Sequence, residues 1–331
     1  MNLQKRIALL LQLSDYLQLN GPEWQLVKEQ AERQNGWFTQ PFIETAVNQL
    51  CQSFLSPSTL KEWADHYHLD DNIGGKNIGI IMAGNIPLVG FHDFLAVFMS
   101  GHTAKIKLSS KDDVLLKHFV EKMTSWDPAV QQLVQFADML KACDAYIATG
   151  NNNSALYFEK YFGKYPHIIR RNRTSIAILD GSESVSDLEK LSDDVHLFFG
   201  LGCRNVTKIY VPKDYDFVPL IRAFDGYNYF KDHNKFRNNY DYQLSLALLN
   251  NLYYMTNDCT LLMENESLFS PISQLHYAFI DPDAGSIDQL TKHPDIQCIV
   301  GKNHLPFGTA QTPGIFDYAD GIDTMQFLLV L

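Results

Sequence analysis

Apolar residues fall three and four apart from Met1 to Leu19, from Pro41 to Phe54 and from Ser58 to His66, a spacing that predicts amphipathic helices. Ser58 followed by Glu62 reads as a helix start, and some four helices are expected before the first strand. That strand is NIGIIMA, Asn77 to Ala83, closed by Gly84-Asn85-Ile86-Pro87 and followed by a helical stretch from Val89 to Ser100. Alternation then begins: strand Thr103 to Leu108, helix Lys111 to Ser125, strand Asp144 to Thr149, helix Ser154 to Phe162, strand Thr174 to Leu179, helix Val185 to Phe199. Val206 to Val211 continues as strand, with helices near Phe217 to Phe224 and from Tyr240 to Met255, then the strands CTLLM, YAFI and QCIV. This pattern predicts an α/β protein with doubly wound parallel sheets and ligands at the C-terminal ends of the strands. No repeat of the length that marks solenoids or propellers is visible.

With 331 residues, 46% of them hydrophobic, the chain can bury two medium cores, and two α/β domains meeting near Arg170 to Arg173 is the simplest division. The net charge of −11 repels phosphate backbones and anionic lipid, so nucleic acid is not expected as a partner. The charge is uneven, however: Lys160, Lys164, Arg170, Arg171 and Arg173 crowd one short stretch, where an anion site can survive. Five cysteines, odd in number and with no C-x-x-C pair, suggest reduced thiols in a cytoplasm. No apolar run approaches a membrane span, so a soluble, unprocessed, cytoplasmic chain is expected.

The common nucleotide and hydrolase signatures fail. There is no G-x-G-x-x-G after a strand, GGKNIG at Gly74 is not a P-loop, and neither G-x-S-x-G nor H-E-x-x-H occurs. Asp70-Asp71 and Asp281-Pro282-Asp283 read as solvated loop acids rather than metal ligands, and no metal is expected. Two features stand apart. Cys203 in FFGLGCRN follows two glycines and precedes Arg204, a setting in which a cation can favour the nucleophilic thiolate, with a buried structural cysteine as the alternative. Cys51, Cys143, Cys259 and Cys298 lie in apolar contexts and read as core. Asn85, at the end of the first strand, can donate an amide N–H to an oxyanion or simply make a turn.

Taken in order, GNIPLVGFHDFLAVFMSGHTAKIKLSS, IATGN, TSIAIL followed by HLFFGLGC, and LPFGTAQTPG resemble the aldehyde dehydrogenase superfamily. They correspond to that family's W-N-x-P to K-P-S-E stretch, its F-T-G-S turn, its F-x-x-x-G-Q-x-C cysteine segment and its P-F-G-G-x-K-x-S-G segment. Within the superfamily the chain most resembles acyl-CoA reductases related to the reductase subunit of bacterial bioluminescence systems, over about Asn77 to Phe316. The resemblance implies Cys203 as nucleophile, with Asn85 and the Cys203 backbone N–H as oxyanion hole. It implies Lys107 at the adenosine ribose, with Ser109 and Ser110 beside it, and Thr149-Gly150 near the cofactor phosphates. Glu266 in ESLFSPI is a candidate for the nicotinamide ribose, although one place early for the family's E-x-F-G-P-V, and His102 is assigned no role. The implied domains are N-terminal helices with a cofactor-binding domain over 1–170, a catalytic domain over 171–303, and a segment 304–331 packing back at the junction.

Departures from the family carry more information. The glutamate that activates water in hydrolytic members aligns with Ile169, unless a shifted alignment lets Glu159 or Glu183 serve. An acyl-enzyme without that base survives long enough to exchange with a thiol or to accept hydride. Ser110, followed by Lys111, stands where the family's ribose-binding acid would repel a 2′-phosphate, which favours NADPH over NADH despite Asp112 and Asp113 close by. Arg170, Arg171 and Arg173 are either ligands of CoA or NADPH phosphates or a solvated turn. The expectation is thus an oxidoreductase that reduces acyl-CoA to aldehyde through a Cys203 thioester, as a homo-oligomer with a reduced oligomerisation arm. The rivals are a reductase fed by acyl phosphate or by a partner synthetase, and a non-catalytic nucleotide- or acyl-binding scaffold. The aromatic-rich stretch Phe224 to Tyr242 either lines an acyl tunnel or belongs to the core.

Overall fold

Capping and burial decide where each helix begins. In the computed structural model, which describes residues 1–280 and 286–331, four helices come first: α1 (Leu3–Leu19), α2 (Pro22–Gln34), α3 (Gln40–Ser53) and α4 (Pro57–His66). The start of α4 differs from the expected Ser58: Ser56 is the cap, its hydroxyl accepting the Thr59 N–H at 3.1 Å, and Pro57 takes the first helical position. The alternating segment follows as β1 (Asn77–Ile81), α5 (Phe91–Met99), β2 (Thr103–Lys107), α6 (Leu115–Trp126), the short α7 (Val130–Leu133), β3 (Val134–Phe136), β4 (Ala145–Thr149), α8 (Asn152–Phe162) and β5 (His167–Arg170). These strands form a parallel sheet in the order β3-β2-β1-β4-β5. Strand order therefore reverses direction between β1 and β4, the position at which open α/β sheets bind ligands. The core beneath it unites α1, α5 and α6 through Leu10, Leu13, Phe94, Phe98, Ile106 and Phe119.

The second sheet runs β11-β6-β7-β10-β9-β8. Its members are β6 (Thr174–Ile178), β7 (Val206–Val211), β8 (Met255–Thr256), β9 (Leu261–Glu264), β10 (Gln274–Phe279) and β11 (Ile296–Gly301), all parallel except β8, which pairs antiparallel to β9 at the edge. Helices α9 (Val185–His196), α10 (Phe217–Ala223), α11 (Asn234–Leu249) and α12 (Ser286–Thr291) accompany it. The window expected from Tyr240 to Met255 is displaced: the His233 ring accepts the Phe236 N–H and starts α11 earlier, and Met255 lies in β8. Likewise α9 stops at His196 rather than Phe199, because Phe198 and Phe199 adopt left-handed backbone with φ of 56° and 57°. The last helix is α13 (Thr324–Leu329).

Packing separates two compact units, Met1–Asn172 with Pro313–Leu331, and Arg173–Thr312. The C-terminal piece belongs to the first unit through buried groups. Arg170 at the end of β5 pairs with Asp93 at 2.8 Å, donates to Thr324 Oγ1 at 2.7 Å and also bonds the Ala319 carbonyl. His102 Nδ1 accepts the Lys76 N–H at 2.9 Å, so its Nε2–H donates to the Leu328 carbonyl at 3.0 Å. That makes His102 a structural clasp.

Candidate active site

In the first unit the residues singled out for cofactor and oxyanion binding follow the C-terminal ends of the three inner strands, β2, β1 and β4. Ile81, the last residue of β1, lies opposite Lys107 of β2 and Ala148 of β4, so Lys107 and Thr149 flank the end of β1. The Lys107 carbonyl accepts the Met82 N–H at 3.1 Å, carrying the chain outward to the exposed Asn85. Glycine is required at two approaches: a Cβ on Gly84 would stand 2.7 Å from Ser109 Oγ, and one on Gly150 would stand 2.9 Å from both Phe158 and Ser154. Both glycines let the protein's own side chains pack against these turns. Helix α8 starts just beyond Gly150, capped by Asn151, whose side chain accepts the Ser154 N–H at 2.8 Å. Ser109 Oγ accepts the Lys111 N–H at 3.2 Å, and the Ser110 carbonyl accepts from Gln34 at 3.1 Å. The N-terminal helices thus grip the loop after β2, with Asn35 Nδ2 donating to the Lys111 carbonyl at 3.1 Å.

In the second unit Cys203 sits half-buried in the loop between α9 and β7. Asn205 fixes that loop. Its side-chain amide donates to the carbonyls of Asp194, Val195 and Leu197 at 3.1, 3.3 and 2.8 Å, and its Oδ1 accepts the Gly202 N–H at 2.8 Å. One buried side chain therefore satisfies the end of α9 and the turn before the cysteine. Ser175 holds the other side, donating to the Cys203 carbonyl at 3.1 Å while accepting the Cys298 N–H at 3.3 Å. Asp194 ties the end of α9 to the segment 308–310 by accepting the Gly308 and Ala310 N–H groups at 2.6 and 2.9 Å; burial pushes its carboxyl up to about 6 against those two bonds. Asn205, Ser175 and Asp194 are invisible as site residues in the sequence, where an asparagine after a glycine-rich turn signals only the turn.

Glu266 follows β9, and its segment is stapled to the sheet. Lys208 Nζ donates to the Glu266 carbonyl at 2.8 Å, Thr207 Oγ1 to the Leu268 carbonyl at 2.6 Å, and the His276 ring meets the Ser267 carbonyl at 3.0 Å. Thr207 and Lys208 stand in β7, a few residues beyond Cys203, so the structure brings the Glu266 segment to the strand that the cysteine loop enters.

Several expectations change. The Arg204 guanidinium donates to the Ala310 carbonyl at 3.4 Å and acts electrostatically on Cys298, whose thiol burial nonetheless pushes up. Cys298 packs against the second unit's core, as expected, and also lies within 3.0 Å of Ser175 Oγ, which joins it to the cysteine loop's network. Arg170 is an internal clasp, not a phosphate ligand; Arg171 pairs with Glu159 at the surface, and Arg173 reaches the Ile296 carbonyl at 3.4 Å. Glu183 caps its own turn, accepting from Asp180 and Gly181 at 2.7 and 3.1 Å, while Ile169 lies in β5. Most of the aromatic stretch packs as core, with Phe224, Tyr227, Phe230, Phe236 and Tyr240 buried while Tyr229 and Tyr242 are exposed; Phe230 meets Phe199 at 4.4 Å and Tyr227 stacks on His196 at 4.7 Å. Asp70 and Asp71 accept the Asn72 and Leu3 N–H groups at 2.7 and 2.8 Å, Asp281 and Asp283 lie outside the described residues, and no metal-holding group is found among the described residues. No helix among them is long and apolar enough to cross a membrane.

The two sheets, their order and the helices between them define an aldehyde-dehydrogenase-like α/β fold. No protein-family model and no curated protein matches the sequence. Solved structures do match in fold. The NAD-dependent aldehyde dehydrogenase from Sinorhizobium meliloti is similar at TM-score 0.66 and 9% identity, covering 94% of this chain and 72% of that one. Aldehyde dehydrogenase 21 from Physcomitrella patens, solved with the reaction product succinate, gives 0.64 and 11%, covering 92% and 79%. The AldA indole-3-acetaldehyde dehydrogenase of P. syringae, solved with NAD+ and IAA, gives 0.63 and 11%, covering 89% and 70%.

Proposed function

We propose that this chain is an NADPH-dependent acyl-CoA reductase, with Cys203 as its nucleophile. The observation that carries the reading is the cysteine loop itself: a half-buried thiol on a backbone held by Asn205 on one side and Ser175 on the other. The Cys203 thiolate attacks the thioester carbonyl of acyl-CoA; the Cys203 backbone N–H stabilises the tetrahedral oxyanion, a role that the family resemblance also implies for the Asn85 amide; CoA leaves as thiolate. One such donor is worth about 3–4 kcal/mol in the transition state. When bound, the reduced nicotinamide supplies the hydride that turns the enzyme thioester into a thiohemiacetal. The thiohemiacetal then releases aldehyde and regenerates the Cys203 thiol.

Lys107, Ser109, Ser110, Thr149 and Gly150 would hold the dinucleotide. Glu266 is the candidate for the nicotinamide ribose. The preference for NADPH gains support from the two acids nearest Ser110: Asp112 is turned into the interior, and the Asp113 carboxylate is taken by Lys117 at 3.0 Å and by Gln34. Neither is left to repel a 2′-phosphate. Both glutamates that could replace the missing water-activating base are engaged elsewhere, which supports reduction over hydrolysis. The test is an acyl-CoA chain-length panel followed at the NADPH absorbance, run beside acyl phosphate. Oxidation with acyl-CoA supports the proposal, oxidation with acyl phosphate alone replaces the donor, and binding without oxidation at any chain length makes the chain a scaffold.

A further inference from the structure

The loop from β1 to α5 carries Asn85 and contains an unusual residue: Leu88 holds a left-handed backbone at φ 59°. A leucine is strained in that conformation, so its surroundings must hold it. Its N–H donates to Asp112 Oδ2 at 2.8 Å, its carbonyl accepts the Phe91 N–H at 2.9 Å, and Gly90 packs so tightly on Met82 that a Cβ would stand 2.6 Å from that side chain. Asp112 lies in the loop after β2 and is anchored there by its own N–H to the Ser109 carbonyl at 3.0 Å. It is 8% exposed, and its second oxygen, Oδ1, is buried and meets no donor. Met82, Leu88, Phe91, Leu108 and Leu116 line the small pocket around it.

We propose that Asp112 is a positioning residue: it ties the loop carrying Asn85 to the loop carrying Ser109 and Ser110, so that the two move as one body. The importance of that coupling rests on the reading of Asn85 and the serines given above, but the tie itself does not. Burial pushes the Asp112 carboxyl up to about 7, the Leu88 N–H opposes this, and the charge of Asp113 adds to it. The pocket walls contributed by β1, α5, β2 and α6 carry no titratable side chain among the residues named, and Lys111 next to it is exposed. In the neutral acid Oδ2 accepts from Leu88 at no charge penalty. Once ionised, the carboxylate sits in an apolar pocket and is relieved only by the loops parting to admit water.

Hydrogen exchange read by mass spectrometry on peptides spanning 84–91, corrected for intrinsic rate and with 103–107 as internal reference, tests this on the free protein. Asp112→Ala at pH 6 should exchange Leu88 about tenfold faster, the loss of one well-placed hydrogen bond. Asp112→Asn keeps the acceptor and cannot ionise, so it should match the wild type at pH 6 and stay protected at pH 8.5, where the wild type loosens. NADPH affinity by fluorescence titration should fall in parallel for Asp112→Ala and be rescued in Asp112→Asn. Unchanged protection in Asp112→Ala, or the same pH dependence in wild type and Asp112→Asn, overturns the tie. If the Ala change accelerates 103–107 as well, the pH comparison of wild type with Asn decides. Should exchange behave as expected while no acyl-CoA is reduced, the tie stands and the functional reading fails.

Discussion

Replacing Asn205 by alanine asks how much of the cysteine loop depends on one side chain. The wild-type amide is fully buried and makes two kinds of bond: its nitrogen serves three carbonyls at the end of α9, with Leu197 nearest at 2.8 Å, and its oxygen takes the Gly202 N–H at 2.8 Å. The nitrogen has two hydrogens, so three bonds are the most that count at full strength. At a net of roughly 1 kcal/mol each, with buried carbonyls and an amide left unpaired, Asn205→Ala should destabilise the protein by about 3 kcal/mol. Asn205→Asp, identical in size, should do at least as badly because an oxygen then faces the three carbonyls. Equilibrium urea unfolding reads the stability. Single-turnover formation of the Cys203 adduct reads the loop, and a nucleophile displaced by about 1 Å should react on the order of a hundredfold more slowly. A variant within about 0.5 kcal/mol of wild type, acylating at the same rate, would show that the loop is held by something else.

Arg170→Ala should cost about 3–5 kcal/mol, because it strands Asp93 in the interior, and the double change Arg170→Leu with Asp93→Leu should recover most of that in the same unfolding assay. His196, enclosed between Ser192 and Thr260, is pushed down to about 4 by burial, so it stays neutral in the fold while the unfolded chain takes up a proton. Stability should therefore decline as pH falls from about 6.5 toward 4, by up to ~1.4 kcal/mol per unit, and His196→Gln should flatten that slope. Asp112 and Asp194, raised to about 7 and about 6, have the opposite sign: their contribution is complete below the ordinary carboxylate range and is lost as pH rises through those values. Urea midpoints from pH 4 to 8 should show Asp112→Asn losing the neutral-side decline. Ser110→Glu should move cofactor preference toward NADH by about tenfold in kcat/KM, and an unchanged ratio would place the 2′-phosphate elsewhere.

Most strands were legible because they are short, apolar and bounded by glycine, asparagine or proline, and most helices because their apolar stripes repeat at helical spacing; the strands β3, β5 and β8 were not expected, being only three, four and two residues long. What escaped was set by partners distant in the chain. Arg170 reads as part of a cationic surface stretch, yet its partners Ala319 and Thr324 lie 149 and 154 residues away. Helix α6 begins at Leu115 rather than Lys111, with Asp112 turned inward to meet Leu88. The break at Phe198 and Phe199 defies local propensity, and it occurs where Phe199 packs on Phe230 and His233. Within the candidate site, Cys203, Asn85 and the residues at the strand ends were visible as chemistry at turns. Asn205, Ser175 and Asp194 were not, since their function is to satisfy backbone groups that only the folded chain brings to them.

Turnover by the proposed route requires the acyl group to pass through the sulfur of Cys203. Rapid mixing of the protein with acyl-CoA in the absence of NADPH, followed by acid quench and intact-mass and peptide mass spectrometry, tests it directly. The predicted result is one acyl group per chain on the peptide containing Cys203, discharged as aldehyde when NADPH is added, absent in Cys203→Ala and retained in Cys298→Ala. An adduct on Cys298, or full acylation and aldehyde release by Cys203→Ala, would contradict it.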